Sequence, residues 1–196
     1  MPSERVSFAR RSARGVICVL ALTAGGEAAE RPVSTQPAAP FSERTRTLHL
    51  DEGARVHINW PASPDPPRAR SHLILFALPN GNTIEQTVGC QKKEGLDWHY
   101  DIQHIGAQTR RLREIAPDER FVIAYLEAEG RSWPAWKAQR PDYLQLVPRI
   151  ITRVEQEAGE VFNSINLLAH SGGGSLLFAL IDSREAVPGR IERIAF

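Results

Sequence analysis

The stretch Ser164-Ile165-Asn166-Leu167-Leu168-Ala169-His170-Ser171-Gly172-Gly173-Gly174-Ser175-Leu176-Leu177-Phe178-Ala179-Leu180-Ile181-Asp182 decides the fold of this chain. It opens as an apolar run short enough for a buried strand, passes through a turn of small residues, and continues with helical apolar spacing. At the turn stands Ala169-His170-Ser171-Gly172-Gly173, a small-x-Ser-x-Gly string. A strand that enters a helix through so tight a bend forces the central residue into strained backbone geometry. The flanking positions must be small, because the helix and the neighbouring strands come close there. Such a bend lifts the Ser171 hydroxyl above the sheet and puts the Gly172 N–H at a helix N-terminus, where developing negative charge is stabilised.

Phosphate-binding loops are the nearest competitors. A dinucleotide fingerprint needs a third glycine where Leu177 stands, after Gly172 and Gly174, and a Walker loop needs a Gly-Lys-Ser/Thr ending. Both patterns fail, and the string is read as a nucleophile elbow with Ser171 as the candidate nucleophile.

Outward from the elbow, Leu73–Leu78 and Phe121–Leu126 are continuous apolar runs of the kind buried on both faces of a parallel sheet. Thr45–Leu50 and Arg55–Trp60 alternate around Asp51-Glu52-Gly53, which predicts a β-hairpin. Thr83 with Glu85 starts a short helix after the turn Pro79-Asn80-Gly81-Asn82, and Ile105–Ile115 has helical spacing. Glu127–Gln139 reads as a loop. Its Trp133 and Trp136 either stack on a substrate at the active-site end of the sheet or close the core beneath the loop. A long amphipathic helix starts at Pro141 or Asp142 and ends at Gly159, its apolar stripe running from Tyr143 to Val154; Pro148 kinks it or marks its first turn. A last strand occupies Arg190–Phe196. A hairpin followed by alternating strands and helices predicts an α/β fold with a doubly wound, mostly parallel sheet.

With the elbow after the fifth strand of this order, residues 45–196 resemble the first two-thirds of the α/β-hydrolase-fold superfamily. The resemblance implies an oxyanion hole made by the N–H of Gly172 and a second N–H from the loop after the third strand, here Gly81 or Asn82. It also implies a triad in the order Ser, acid, His. Asp182, Glu185 and Glu192 follow Ser171, none at the loop where the acid belongs, and no histidine follows it. His170 is expected to point away from the exposed side of the elbow. His49, His57, His72, His99 and His104 are read as structural. The expected function is therefore a serine hydrolase acting on an ester, amide or peptide bond of a small-molecule or peptide substrate, through an acyl-enzyme on Ser171. The chain itself reads as a fragment that lacks the C-terminal strands and the acid and His of the triad. The alternative is a non-catalytic binding or interaction protein on the same scaffold.

Composition bounds the remaining classes. The 196 residues are 42% hydrophobic and 24% charged with a formal net charge of +1, a balance that argues for one domain and against nucleic acid or an anionic membrane as partner. Residues 1–29 have the layout of a signal peptide: Arg5, Arg10, Arg11 and Arg14, then an apolar Val16–Ala24, then Gly25–Ala29. A secreted or periplasmic protein with no membrane span after signal removal is expected, with residues 30–44 as linker. Loss of the leader takes Cys18 and leaves Cys90 alone, so no intramolecular disulfide is expected. Asp97-Trp98-His99-Tyr100-Asp101 with His104 gathers oxygen and imidazole groups but lacks paired Cys and His at zinc spacing, and neither metal nor cofactor is expected. Without a general base a serine hydroxyl is a poor nucleophile, and loss of a triad member lowers turnover about 10⁴-fold. Residues 30–196 expressed alone should therefore hydrolyse an activated ester no faster than their Ser171→Ala variant, as measured by release of p-nitrophenol.

Overall fold

Leu73, Leu75 and Ala77 are fully buried on one side of a strand, while Ile74 and Phe76 are buried on the other. Only a strand at the centre of a two-faced sheet hides both of its alternating side-chain sets, so helices must cover both faces. The structure, a computed structural model, describes residues 37–38, 43–62, 70–89, 104–183 and 191–196. Its strands are β1 (Pro37–Ala38), β2 (Glu43–Leu50), β3 (Ala54–Trp60), β4 (Arg70–Ala77), β5 (Glu119–Ala128), β6 (Ser164–Ala169) and β7 (Ile191–Ala195). Its helices are α1 (Ile84–Val88), α2 (Ile105–Ile115), α3 (Trp133–Ala138), α4 (Tyr143–Ala158) and α5 (Gly174–Asp182), with 3₁₀ turns at Glu129–Arg131 and Ser171–Gly173. The leader read at residues 1–29, Cys90 and the Asp97–Asp101 cluster lie outside the described residues.

The strands form one mixed sheet in the order β1-β2-β3-β5-β4-β6-β7. β4 pairs in parallel with β5 on one side and β6 on the other, and β7 is parallel to β6. β2 and β3 are antiparallel to each other, and β3 is antiparallel to β5. Helices α1 and α2 cover the face of Ile74, Phe76, Ile123 and Tyr125. Helices α3, α4 and α5 cover the face of Leu75, Val122 and Leu167. The molecule is an α/β protein with helices on both faces of a sheet whose core strands are parallel. Among the described residues no helix is long and apolar enough to cross a membrane.

Three elements depart from the expected pattern. Residues 127–139 are not a loop: β5 runs to Ala128, and α3 begins after Ser132, whose hydroxyl accepts from the Ala135 N–H. Trp133 and Trp136 are both buried, edge-on at 5.4 Å, and their indole N–H groups donate to the carbonyls of Leu126 and Glu52. They close the core, which orders the segment into a helix. Secondly, β2 starts at Glu43 and β1 pairs with it, inside the stretch read as linker. The cause is distant in sequence: the buried Glu43 carboxylate accepts from Arg113 at 2.9 Å, Arg110 at 3.3 Å and Asn59 at 3.0 Å. Thirdly, Pro148 does not mark the first turn of α4: the helix begins at Tyr143, and Val147, Ile150, Ile151, Val154 and Ala158 are all anchored in the core on its apolar side.

At the N-terminal end of the parallel strands, His72 Nδ1 lies 2.7 Å from Ser164 Oγ and His72 Nε2 2.7 Å from Glu119 Oε2. This Ser–His–Glu array has the composition of a triad, but Ser164 and His72 are buried and the ring is stacked on Phe121. It ties three adjacent strands together.

The Glu43 cluster sets a stability expectation. Removing one partner of a buried charge pair leaves the other uncompensated, a loss of about 3 kcal/mol or more. Glu43→Ala should lower the unfolding free energy by that much, seen as a lower urea midpoint at unchanged m-value in equilibrium unfolding.

Candidate functional site

The sheet reverses its winding between β4 and β6. The chain leaves β4 toward α1 on one face and leaves the adjacent β6 toward α5 on the other. Ligands bind α/β sheets at such a switch point, beyond the carboxyl ends of the strands. Ala77 of β4 and Ala169 of β6 are register partners, so Asn80 and Ser171 follow at neighbouring strand ends.

Ser171 has φ +52, a left-handed conformation that non-glycine residues seldom adopt and that is concentrated at functional sites. The turn that imposes it is packed to contact. A Cβ on Gly173 would overlap the Ala77 carbonyl oxygen and stand 2.9 Å from that of Leu78. A Cβ on Gly172 would overlap the Asn80 carboxamide. The Gly173 N–H donates to the His170 carbonyl at 3.0 Å, closing the 3₁₀ turn from which α5 continues. Ser171 is exposed at the summit, while Ala169, Gly173 and Gly174 are buried beneath it.

An open cleft of about 520 Å³ lies beside the serine, lined by Pro134, Lys137, Ser175, Phe178 and Phe196 together with Ser171, Gly172 and Gly174. Phe178 and Phe196 stack at 4.9 Å to form its apolar wall. Lys137 is the charged group in the lining, and its Nζ sits 4.7 Å from the centre of the Tyr143 ring. In the sequence this segment stands out for its two tryptophans, and nothing in a loop reading of it gives Pro134 or Lys137 a place at the site. Their i, i+3 spacing on the exposed side of a helix was the available signal.

The loop after β4 is tied at several points. Gly81 has φ +81 and donates its N–H to the Arg131 carbonyl at 2.8 Å. The Asn82 N–H points to the Pro79 carbonyl at 3.4 Å, and the Asn82 side chain is buried. Thr83 and Gln86 form a reciprocal capping box on α1. The Glu127 carboxylate, at the end of β5, accepts from the Ile84 N–H at 2.7 Å and from Arg55 at 2.7 Å. Arg55 also grips Glu85 with two hydrogen bonds of 2.9 and 2.8 Å. The Gly81 N–H expected in the oxyanion hole is thus committed to Arg131, and the Asn82 N–H is turned back on its own loop.

The histidines are dispersed. His170 is exposed. His49 lines a separate cleft of about 320 Å³ with Arg55, Glu127 and Glu129. His57 is bonded to Thr47 at 2.7 Å, and burial pushes its pKa down. His104 precedes α2, with its ring against Gly89. Glu185 and His99 lie outside the described residues. Among the described residues no imidazole or carboxylate lines the Ser171 cleft, and no group of three or more His, Cys, Asp and Glu is placed to hold a metal ion.

In comparisons with known proteins, no family model and no curated sequence matches this chain.

The clamp on the β4 loop titrates. The Arg55 hydrogen bonds hold the Glu85 carboxyl down at about 2 against a usual 4.5, more than offsetting the opposite pull of burial. A depressed folded-state pKa contributes stability that is complete above about 4.5 and is lost as pH falls toward 2. The stability difference between the parent and Glu85→Gln should accordingly shrink between pH 6 and pH 3 in urea unfolding. It should also shrink with added salt, because the Glu85 side chain is largely exposed.

Proposed function

We propose that this protein is an exported serine hydrolase of the α/β-hydrolase type, in which Ser171 forms an acyl-enzyme with an ester, amide or peptide substrate. The observation that carries the reading is the left-handed backbone of Ser171 at a strand–helix junction at the switch point of the sheet. Strand order supports it: after β1 the sheet runs β2-β3-β5-β4-β6-β7, with the serine directly after β6 and β3 as the antiparallel member beside β5. The packing of Gly173 against the backbone at the end of β4 supports it too, since the motif demands small residues where backbone segments meet.

In the reaction the Ser171 Oγ attacks the substrate carbonyl carbon, the C=O π pair moves to oxygen, and the hydroxyl proton passes to a base. Collapse of the tetrahedral intermediate expels the alcohol or amine, which takes up that proton, and water repeats the sequence to release the acid. The Gly172 N–H at the start of the turn into α5 is the group this chain offers to the oxyanion beside Ser171. The cleft walled by Phe178, Phe196 and Pro134 suits an apolar acyl or leaving group.

A second reading, a ligand-binding protein on this scaffold, is favoured by the absence of an imidazole or carboxylate from the cleft lining among the described residues. The two part on one experiment. Protein expressed from its full reading frame should be labelled by a fluorophosphonate probe, and Ser171→Ala should abolish the label while leaving the thermal midpoint within a few degrees. Labelling that persists in Ser171→Ala overturns Ser171 as the nucleophile, and no labelling of the parent favours the binding reading.

A further inference from the structure

The reading of Ser171 as nucleophile requires a second donor for the oxyanion, and the two backbone groups expected to supply it are turned elsewhere. The Gly81 N–H is held by the Arg131 carbonyl at 2.8 Å, and the Asn82 N–H faces the Pro79 carbonyl. Against Gly172 stands instead the side chain of Asn80. A Cβ on Gly172 would overlap its carboxamide carbon and oxygen and lie 2.6 Å from Nδ2. The Asn80 carboxamide is exposed and makes no hydrogen bond among the described residues, so its donors are available.

We propose that Asn80 is the second oxyanion donor, acting through its side-chain Nδ2–H beside the Gly172 N–H. The inference rests on the Ser171 reading and deepens it. The terminal torsion of asparagine is broad, so the carboxamide turns its nitrogen toward a growing negative charge with little strain. Its Cα, by contrast, is fixed. Gly81 is bonded to Arg131, Ile84 to Glu127, and the Leu78 N–H to the Leu126 carbonyl at 3.0 Å, which holds both sides of Asn80 to β5 and the turn beyond it. A loop anchored in this way leaves only that terminal torsion to adjust as the charge grows, and a donor mounted on a fixed backbone is what oxyanion-hole catalysis draws on. The proposal also accounts for glycine at position 172: the space a side chain would take there is occupied by Asn80. Lys137, the other candidate donor near the serine, is directed over the Tyr143 ring. Asn80 approaches Gly172 from the β4 side and is not part of the 520 Å³ cleft lining, so the carbonyl oxygen turns toward the β4 loop while the substituent lies along α5.

The test uses protein expressed from its full reading frame, with p-nitrophenyl butyrate as probe and thermal midpoints recorded for every variant. Asn80→Ala should lower kcat about 10²–10³-fold with KM little changed, the mark of an interaction made only in the transition state. Asn80→Asp should be slower than Asn80→Ala, because it removes the donor and opposes the oxyanion with like charge. A structural role predicts the reverse order, since Asp keeps the shape. Gly172→Ala should displace Asn80 and lower kcat, and the double variant Asn80→Ala/Gly172→Ala should be little worse than the more impaired single one. Asn80→Ala within threefold of the parent, with Ser171→Ala inactive, overturns the Asn80 assignment and leaves the nucleophile standing. So does a rate that follows the thermal midpoint, or Asn80→Asp as fast as the parent. Parent turnover equal to that of Ser171→Ala overturns both.

Discussion

The end of β4 presses so closely on the turn after β6 that its backbone leaves Gly173 no room for a Cβ, while the Asn80 side chain fills the space beside Gly172. That single close approach governs the site. Because the Ala77 and Leu78 carbonyls occupy the space beside Gly173, the chain leaving β6 can enter α5 only by bending sharply at the preceding residues. The bend falls on Ser171 as a left-handed backbone. A strained serine persists only where its surroundings over-determine it. Here the surroundings are parallel pairing of β4 with β6 below, the buried stripe of Leu176, Leu177, Ala179 and Leu180 on α5 to one side, and the β4 loop on the other.

Electrostatics serves that packing rather than competing with it. Arg55 projects from β3 and Glu127 from the end of β5, both strands remote in sequence from α1, yet together they hold the first turn of α1 through Glu85 and the Ile84 N–H. The loop between β4 and α1 is therefore suspended between a strand it continues and a helix whose start is pinned by its neighbours. Rigid mounting of a polar loop is what a site needs if it is to offer dipoles already oriented toward a developing charge. The Glu43 cluster anchors the second helix on the same face, where Arg110 and Arg113 of α2 are drawn down onto β2 and β3.

The parts legible in the sequence were those decided by local pattern. β4 and β5 form over the unbroken apolar runs Leu73–Leu78 and Phe121–Leu126, β6 is apolar but for Ser164 and Asn166, and α4 carries an apolar stripe of helical period. The Ser171 turn is marked by three consecutive glycines in a strand-to-helix context. What escaped depended on distant partners. Helix α3 sits in a segment rich in Gly, Pro and Trp that looks like a loop until Trp133 and Trp136 find the Leu126 and Glu52 carbonyls. The start of β2 is hidden because Glu43 looks like a surface residue and is in fact buried between arginines from another element. The sequence points to the loop after β4 as a neighbour of the serine, but not to which of its residues faces Gly172. Asn80 and Asn82 are the same letter and only the fold distinguishes them: Asn80 is exposed against Gly172, Asn82 is buried, and the Arg131 carbonyl captures the Gly81 N–H between them.

The Ser164–His72–Glu119 array has a consequence at the opposite end of the molecule. It joins the bases of β6, β4 and β5 side by side, and a strand that slid along its neighbour by one residue would turn its contribution to the other face and break the chain of bonds. Each residue of slippage would also carry a strand tip about 3.3 Å along the sheet, farther than the length of a hydrogen bond. By acting as a common datum line for the three strands, the buried histidine sets how high Asn80 and Ser171 stand relative to each other from the opposite end of the sheet.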